Sequence, residues 1–349
     1  MLDIYADIKN ISYQPTLCKP LPKYSVDKLS NALLKSCFQL EFSPSVSFAI
    51  SKWVSPKRTR SYPYTRVYNT YSFEGKRVTL IPVIKDEGLD GDRDFIQWDT
   101  ISLMSLLQTY IIFVYYIEAE INPNYNNKIT SQQISEEYLK IKLQELSVYK
   151  SDALHWNLNQ TKNIAEILEK ALQSYELMSS NLGVIFHSNK NAYSKIERIK
   201  ADYNNFLIDS RINAKKAQYR ESMTIQPKES IAIGQKAKIT IENYLKGKYY
   251  LTVDEAIVNG NQIQLIEAKH TNSDRLPSYD DVIDGIVKMI LFTNLDLVEI
   301  KGKRYRPQAV LKLTNKNGIK ENNLSSSDNE FLMKLRNEAK INKFKIVLG

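Results

Sequence analysis

Three residues in the last third of the chain are of types that could together hold a metal ion. Asp254 lies in one apolar, β-branched run, and Glu267 and Lys269 lie in the next. Neighbouring carboxylates repel each other unless a cation lies between them. Magnesium binds oxygen ligands, often one or two carboxylates and a phosphate oxygen of the substrate, and we expect manganese to substitute for it. Lys269 would then orient or deprotonate a metal-bound water, or stabilise the charge that develops on the phosphate.

The two runs predict a β-hairpin over residues 249–269. They are separated by Asn259-Gly260-Asn261, and Asn-Gly between apolar, β-branched runs is a strong hairpin signal. The two-residue turn can consist of the first two of these residues or of the last two. The sequence leaves both registers open.

Both registers bring the three chemical residues to one face of the hairpin. In the first register Asp254 pairs with Leu265, and Glu267 is one diagonal step away. In the second register Asp254 lies directly opposite Glu267. Lys269 follows two residues later and shares that face in both cases. A purely structural alternative is an exposed hairpin edge on which Glu and Lys prevent aggregation.

This arrangement resembles the PD-(D/E)XK nucleases. Their signature is an acidic residue on one strand and Asp/Glu-x-Lys on the next, here Asp254 and Glu267-Ala268-Lys269. Val253 stands where the name of the motif has proline. The same Glu-x-Lys spacing occurs at residues 74–76 and 338–340, which we interpret as a turn and a charged helix without a partner acid.

The resemblance implies a fold and an activity. It implies an α/β (α+β) protein with a restriction-endonuclease-like core, in which a mixed β-sheet is flanked by helices. It implies a magnesium-dependent, sequence-specific endonuclease of double-stranded DNA, similar to type II restriction enzymes and acting as a homodimer. Alternatives are a repair, junction-resolving or transposon-end nuclease of the same superfamily, or a DNA-binding protein with a degenerate core.

A helix predicted over residues 230–246 leads into the hairpin. In the resembled family, a helix before the first core strand often supplies a further Glu to the metal site. Glu242 is the candidate for that role, and a solvent-facing glutamate is the structural alternative. A polar loop after the hairpin leads to a helix capped at Ser278 and a strand over residues 304–313.

We divide the chain into three regions. Residues 1–130 form an N-terminal α/β region that we assign to DNA recognition, residues 131–224 a helical region, and residues 225–349 the nuclease core. The helical region shows the apolar spacing of amphipathic helices.

The N-terminal region contains a second succession of elements that could form a nuclease-like unit. The sequence predicts a hairpin over residues 67–84, an acidic segment at 85–94, a helix over 100–108 and a strand over 110–117. The acidic segment lacks the spacing of a calcium-binding loop. It competes with the later hairpin for the metal site, but it has no Glu-x-Lys beside a partner acid.

A basic segment over residues 52–66 precedes these elements, and aromatic residues alternate with its cations. The residues that we assign to DNA phosphates are Lys57, Arg58, Arg60 and Arg66. Such cations hold phosphates while aromatic rings pack on sugars or bases. A solvated basic loop is the alternative.

The composition agrees with a polyanionic partner such as DNA. The 349 residues carry a net charge of +9, and positive charge speeds encounter with nucleic acid. Cys18 and Cys37 show no metal-ligand spacing and form no disulfide scaffold. The sequence shows no signal peptide and no membrane span, so we expect a cytoplasmic protein.

The basic segment yields a test by salt dependence. Replacing Arg58 and Arg60 together by alanine should weaken binding to all DNA sequences alike. The slope of log K against log salt concentration should fall by roughly 0.9 for each phosphate that the protein no longer neutralises. An unchanged slope would identify the segment as a solvated loop.

Overall fold

The computed structural model describes residues 1–56, 62–223 and 234–349 and shows a mixed α/β protein with helices and several sheets. The chain forms two compact units. One comprises residues 1–20, 60–72 and 214–349, and the other residues 21–59 and 73–213. The predicted three-part division concerns roles in recognition and catalysis and stays a prediction. Within the described ranges, no helix is both long and apolar enough to span a membrane.

The bounds of the regular elements are as follows. The helices are α1 (Leu29–Leu33), α2 (Tyr62–Asn69), α3 (Trp98–Leu106), α4 (Glu136–Val148), α5 (Ala153–Lys162), α6 (Ile164–Leu182), α7 (Lys190–Ala201), α8 (Asn204–Met223), α9 (Tyr279–Phe292) and α10 (Ser326–Asn342). The strands are β1 (Leu2–Ile8), β2 (Lys23–Ser25), β3 (Cys37–Ser43), β4 (Val46–Lys52), β5 (Lys76–Pro82), β6 (Ile84–Asp86), β7 (Arg93–Phe95), β8 (Tyr110–Val114), β9 (Tyr116–Ile121), β10 (Ile129–Ile134), β11 (Gln235–Asn243), β12 (Lys248–Asn259), β13 (Gln262–His270), β14 (Leu297–Ile300), β15 (Lys303–Thr314) and β16 (Lys345–Leu348).

The first unit is built on a seven-stranded sheet with the order β13-β12-β11-β1-β14-β15-β16. Strand β15 pairs with β14 through residues 303–305 and then runs parallel to β13 from residue 306 to 314. Because β15 pairs with both β14 and β13, the sheet closes on itself. The ring of paired strands is β13, β12, β11, β1, β14 and β15. The strand predicted over residues 304–313 is confirmed as β15.

Helix α9 forms the core of this unit with β13 and β15, and α2 packs against it. The side chain of Ser278 caps its N-terminus by accepting a hydrogen bond from the backbone N–H of Asp281 at 3.2 Å, as predicted. From residue 282 to 292 every residue is buried except Asp284 and Lys288, which are half-buried. Burial of that apolar surface stabilises the unit.

The helix predicted over residues 230–246 is wrong for its described part, because residues 235–243 form β11. Its buried residues alternate with half-buried ones, and Ala237, Ile239 and Ile241 lie inward. Strand β1 pairs with β11 in parallel along seven residues. These nonlocal hydrogen bonds override a weak local helical preference. Residues 230–233 lie outside the described residues.

The hairpin predicted over residues 67–84 is also wrong, because its first strand is replaced by the end of α2. Its second strand is present as β5 but pairs in parallel with β4 and β8, so the Glu74-Gly75 segment is not a hairpin turn. The contact of α2 with α9 explains the helix, since tertiary packing decides between weak local preferences.

The second unit contains a five-stranded sheet with the order β2-β3-β4-β5-β8. The predicted helix over residues 100–108 and strand over residues 110–117 agree with α3 and with β8 followed by β9. Helices α4 to α8 occupy most of residues 136–223 within the predicted helical region, whereas its first residues belong to β10. Helix α6 ends at Gly183, which has a φ of 67°, a left-handed conformation that glycine adopts without strain.

The Glu-x-Lys sequence at residues 338–340 has a structural role in α10. Glu338 is fully buried, and its carboxylate accepts hydrogen bonds from the hydroxyls of Tyr13 and Tyr68 at 2.8 and 2.7 Å. The backbone N–H of Thr16 donates a further bond to Glu338 at 2.8 Å. These bonds fasten the segment after β1 to α10, which accounts for the burial of this carboxylate.

Candidate active site

The predicted hairpin is confirmed as β12 and β13, in the second of the two registers. Asn259 pairs with Gln262, so Gly260 and Asn261 form the turn, and Gly260 has a φ of 60°. The paired residues continue to Glu255 and Ile266. In this register the next positions along the two strands are Asp254 and Glu267.

A β-bulge in β12 sets the position of Asp254. Between the pairs Ala237 with Val253 and Gln235 with Ala256, β12 contains one residue more than β11. The extra residue falls at Asp254 or its neighbour. A bulge bends the strand and redirects a side chain, and bulges are frequent beside active sites.

The carboxylate of Asp254 reaches the motif on the neighbouring strand. Its Oδ2 accepts a hydrogen bond from the backbone N–H of Ala268 at 2.8 Å. Ala268 is the middle residue of the Glu-x-Lys sequence. The structure therefore brings Asp254, Glu267 and Lys269 together.

Glu267 is the most buried carboxylate of this cluster, with only 3% of its surface exposed. The Nζ of Lys269 lies 3.0 Å from its Oε1, and the Nζ of Lys288 lies 2.6 Å from its Oε2. Burial favours the protonated acid, but the two ammonium groups outweigh burial and hold the pKa of Glu267 below its ordinary value. Glu267 is therefore ionised at neutral pH.

Lys269 is held by two carboxylates. Besides Glu267, it forms an ion pair with Asp284, which lies on α9. Burial opposes the charge of Lys269, but Glu267 and Asp284 together raise its pKa above the ordinary value. The side chain is thus a fixed ammonium group, able to donate hydrogen bonds and unable to take up a proton.

Asp254 has the opposite electrostatic character. Burial, and then repulsion from Glu267, raise the pKa of its carboxyl group from 3.8 to about 6. Lys288 and Lys269 oppose this rise. The two strands thus place side by side a carboxylate that is firmly ionised and one that titrates close to neutral pH.

Gly285 allows α9 to approach the sheet closely at this point. A Cβ atom at this position would lie 2.6 Å from Cδ1 of Leu311 and 3.2 Å from Cε of Lys269. A side chain at this position would therefore force Leu311, Lys269 or α9 to shift. The same close approach brings Asp284 and Lys288 into the cluster.

The donor set fits a hard divalent cation. Asp254 and Glu267 offer carboxylate oxygens, which magnesium and manganese prefer. Among residues 1–56, 62–223 and 234–349, no group of three or more His, Cys, Asp or Glu side chains is placed to hold a metal ion. The remaining donors would therefore have to come from the backbone, water or substrate, as is usual for magnesium.

The structure does not bring Glu242 into this cluster. Glu242 pairs with Lys248 across β11 and β12, six residues along β12 from Asp254, which is about 20 Å in an extended strand. Its carboxylate is 2.9 Å from the Nζ of Lys248 and 3.6 Å from that of Lys246. The helix that was predicted to aim Glu242 at the cluster is a strand, which explains the difference.

The predicted DNA contacts are only partly within the described residues. Arg66 lies in α2 and is half-buried. Lys57, Arg58 and Arg60 lie outside the described residues. Their assignment stays a prediction.

The competing acidic segment has a structural use for its first acid. Asp86 is 1% exposed, and its Oδ2 lies 3.1 Å from Nε of Arg93. Its Oδ1 contacts Nδ1 of His187 at 2.8 Å and accepts a hydrogen bond from the backbone N–H of Gly88 at 2.9 Å. Asp86 thereby joins β6 and β7 to the segment after α6.

Sequence reasoning missed Asp284 and Lys288. A signal was available, because they are one helical turn apart and are the only charged residues between residues 282 and 292 of α9. Two charges at an i, i+4 spacing within an otherwise apolar helix point to buried partners on a neighbouring element.

Comparison with known proteins adds no assignment. No family model, curated protein or solved structure matches this chain. The interpretation of the cluster therefore depends on its own geometry and charges.

The raised pKa of Asp254 predicts a pH-dependent stability. The folded protein binds this proton more tightly than the unfolded chain, so the stabilisation is complete below pH 3.8 and is lost as the pH rises through about 6. Between those limits the unfolding free energy of the wild type should fall by up to about 3 kcal/mol relative to Asp254→Asn. Urea denaturation of both proteins across this range tests this, and parallel stability curves would contradict it.

The close approach at Gly285 predicts destabilisation by a single methyl group. Alanine favours helices by about 1 kcal/mol over glycine, but overpacking costs about 1–3 kcal/mol, and Leu311 is fully buried with little room to move. Gly285→Ala should therefore lower the unfolding free energy by up to about 2 kcal/mol in urea denaturation. In a Leu311→Ala background the same change should be neutral or stabilising, whereas stabilisation in the wild-type background would contradict the packing.

Proposed function

We propose that this protein is a magnesium-dependent DNA endonuclease with Asp254, Glu267 and Lys269 in its active site. The observation that carries the proposal is the bond from the backbone N–H of Ala268 to the Asp254 carboxylate. It joins an acid on one strand to a Glu-x-Lys sequence on the next. Manganese would substitute for magnesium at such oxygen ligands.

The succession of elements around the cluster supports the proposal. Among the described elements, helix α8, strands β11, β12 and β13, helix α9 and strands β14 and β15 follow one another. Apart from the four-residue strand β14, this is the α-β-β-β-α-β order of the PD-(D/E)XK core. Strand β11 forms an antiparallel meander with β12 and β13, in a segment for which the sequence predicted a helix. This is an analogy at the level of fold, and the side chains carry the chemical argument.

The charges of the cluster suggest a role for each side chain. Asp254 and Glu267 would hold the cation. When bound, the cation would neutralise the negative charge of the phosphodiester and lower the pKa of a bound water. Because the pKa of Lys269 is raised, it would orient the attacking water and stabilise developing negative charge rather than remove a proton. Lys288 and Asp284 are positioning residues, since they hold Glu267 and Lys269 in place.

Double-stranded DNA is the substrate that the charge of the chain favours. A net charge of +9 attracts a polyanion. We infer that the protein is similar to type II restriction enzymes and acts in the cytoplasm. Two copies of one active site are needed to cut both strands of a palindrome symmetrically, so the active form would be a homodimer. A repair, junction-resolving or transposon-end nuclease would give no discrete, reproducible plasmid fragments.

A non-catalytic role is favoured by one feature of the cluster. Each oxygen of Glu267 already contacts a lysine, and Lys269 also pairs with Asp284. In this alternative the network is purely structural and fixes α9 on the sheet. In that case the chain would be a DNA-binding protein with a degenerate nuclease core, and magnesium would produce no nicking.

Cleavage by variants of the cluster tests the proposal. In single-turnover assays with saturating magnesium, Asp254→Ala or Glu267→Ala should abolish cleavage, because each change removes a metal ligand. DNA binding should persist or tighten, since each change also removes a negative charge. Lys269→Ala should lower the rate by about 10²- to 10⁴-fold, the usual loss for one positioned catalytic group.

Two matched variants complete this experiment. Lys303→Ala removes an exposed lysine from β15 and should cleave like the wild type, as should Asp90→Ala in the acidic segment. Circular dichroism reports whether each variant is folded. A folded Lys269→Ala variant with wild-type cleavage would contradict the catalytic assignment, and loss of cleavage in Asp90→Ala would move the site to the acidic segment.

A further inference from the structure

A large cavity in the first unit lies apart from the catalytic cluster. Its volume is about 710 Å³, within the range of small-molecule sites. It lies between the C-terminal half of α8 and strands β1, β11 and β12. None of its lining residues in the described part of the chain belongs to the cluster around Glu267.

The floor of the cavity is formed by side chains aligned across three strands. Asp3 pairs with Lys238, and Tyr5 pairs with Thr240, which also pairs with Tyr250. Paired residues on adjacent strands project to the same side of a sheet. These residues alternate with the inward-facing ones of β11, so the cavity is on the outer side of the sheet.

Helix α8 forms the wall and is fixed to the floor. The side-chain amide of Gln218 donates hydrogen bonds to the backbone carbonyls of Ile239 and Leu251, at 3.2 and 2.6 Å. These bonds to two neighbouring strands hold the wall at a defined distance from the floor. The cavity is therefore pre-formed, which lowers the entropic cost of binding a ligand.

Three lysines give the cavity a positive charge. Lys215, Lys216 and Lys238 line it and form no ion pair with any residue in the described part of the chain. Asp3 is the one acidic side chain among the described lining residues, so these residues carry a net charge of +2. An anionic ligand would neutralise this charge.

Aromatic rings accompany these cations. The Nζ of Lys238 is 4.8 Å from the ring centre of Tyr219, and the Nζ of Lys215 is 5.8 Å from that of Tyr250. Tyr5 is 61% exposed and presents its ring at the cavity. Tyr219 is 54% exposed, whereas Tyr250 is buried. Cations interleaved with accessible aromatic faces, here those of Tyr5 and Tyr219, are characteristic of sites that hold phosphates and stack bases.

We propose that this cavity binds a nucleotide unit, with its phosphate between the lysines and its base against Tyr5. Asp3 would accept a hydrogen bond from an amino or hydroxyl group of the ligand. An acidic peptide would match the charge but leave the aromatic faces unused. The nucleotide unit is either a free nucleotide or part of a single strand, and the inference is independent of the proposed nuclease activity.

Binding measurements on the full chain in EDTA separate these sources. The two probes are a fluorescent ATP analogue and a fluorescein-labelled single-stranded oligodeoxynucleotide. The double variant Lys215→Gln with Lys238→Gln should bind at least one probe about tenfold or more weakly, since each substitution removes a charge-assisted bond. Tyr5→Ala should weaken binding roughly five- to a hundredfold, whereas Tyr5→Phe retains the stacking face and should bind like the wild type.

A matched double variant controls for net charge. Lys303→Gln with Lys316→Gln removes two exposed lysines outside the cavity, and Lys303 also lies near a tyrosine ring, at 5.4 Å from that of Tyr305. It should bind both probes like the wild type. Weakening of the ATP analogue by the cavity variants identifies a free nucleotide as the ligand, and weakening of the oligonucleotide alone identifies a single strand. Equal binding by the cavity and control variants, or no binding by the wild type, would overturn the proposal.

Discussion

The buried carboxylate of Glu267 is the constraint on which the first unit depends. An ion with 3% of its surface exposed is costly to bury unless opposite charges replace the lost water. Lys269 from the same strand and Lys288 from α9 supply those charges. Helix α9 must therefore lie close to the sheet, and Gly285 is the residue that permits this distance.

The same constraint leaves Asp254 electrostatically unlike its neighbour. Both lysines point at Glu267, so Asp254 has burial and a nearby negative charge against it, and its pKa is raised to about 6. The bulge in β12 and the bond from Ala268 hold it there nevertheless. A firmly ionised carboxylate beside one that titrates near neutral pH is an arrangement common in catalytic sites.

The parts of this site that depend on local sequence were predictable. Turn chemistry at Asn259-Gly260-Asn261 predicted the hairpin, and strand alternation brought Asp254, Glu267 and Lys269 together. The parts that depend on distant contacts were not. Strand β11 was predicted as a helix because its partner β1 lies at the opposite end of the chain. Glu242 was assigned to the metal site because it lay on that predicted helix. Asp284 and Lys288 entered the site only through the packing of α9.

Direct titration of the cluster with Mn²⁺ tests the central claim most sharply. Electron paramagnetic resonance of free Mn²⁺ measures how much of the ion the protein takes up, without requiring cleavage. The wild type and Glu242→Gln should bind the ion alike, because Glu242 lies far from the cluster, whereas Asp254→Asn and Glu267→Gln should lose this binding. Identical titration curves for the wild type and Asp254→Asn would contradict the claim that these two carboxylates form a cation site.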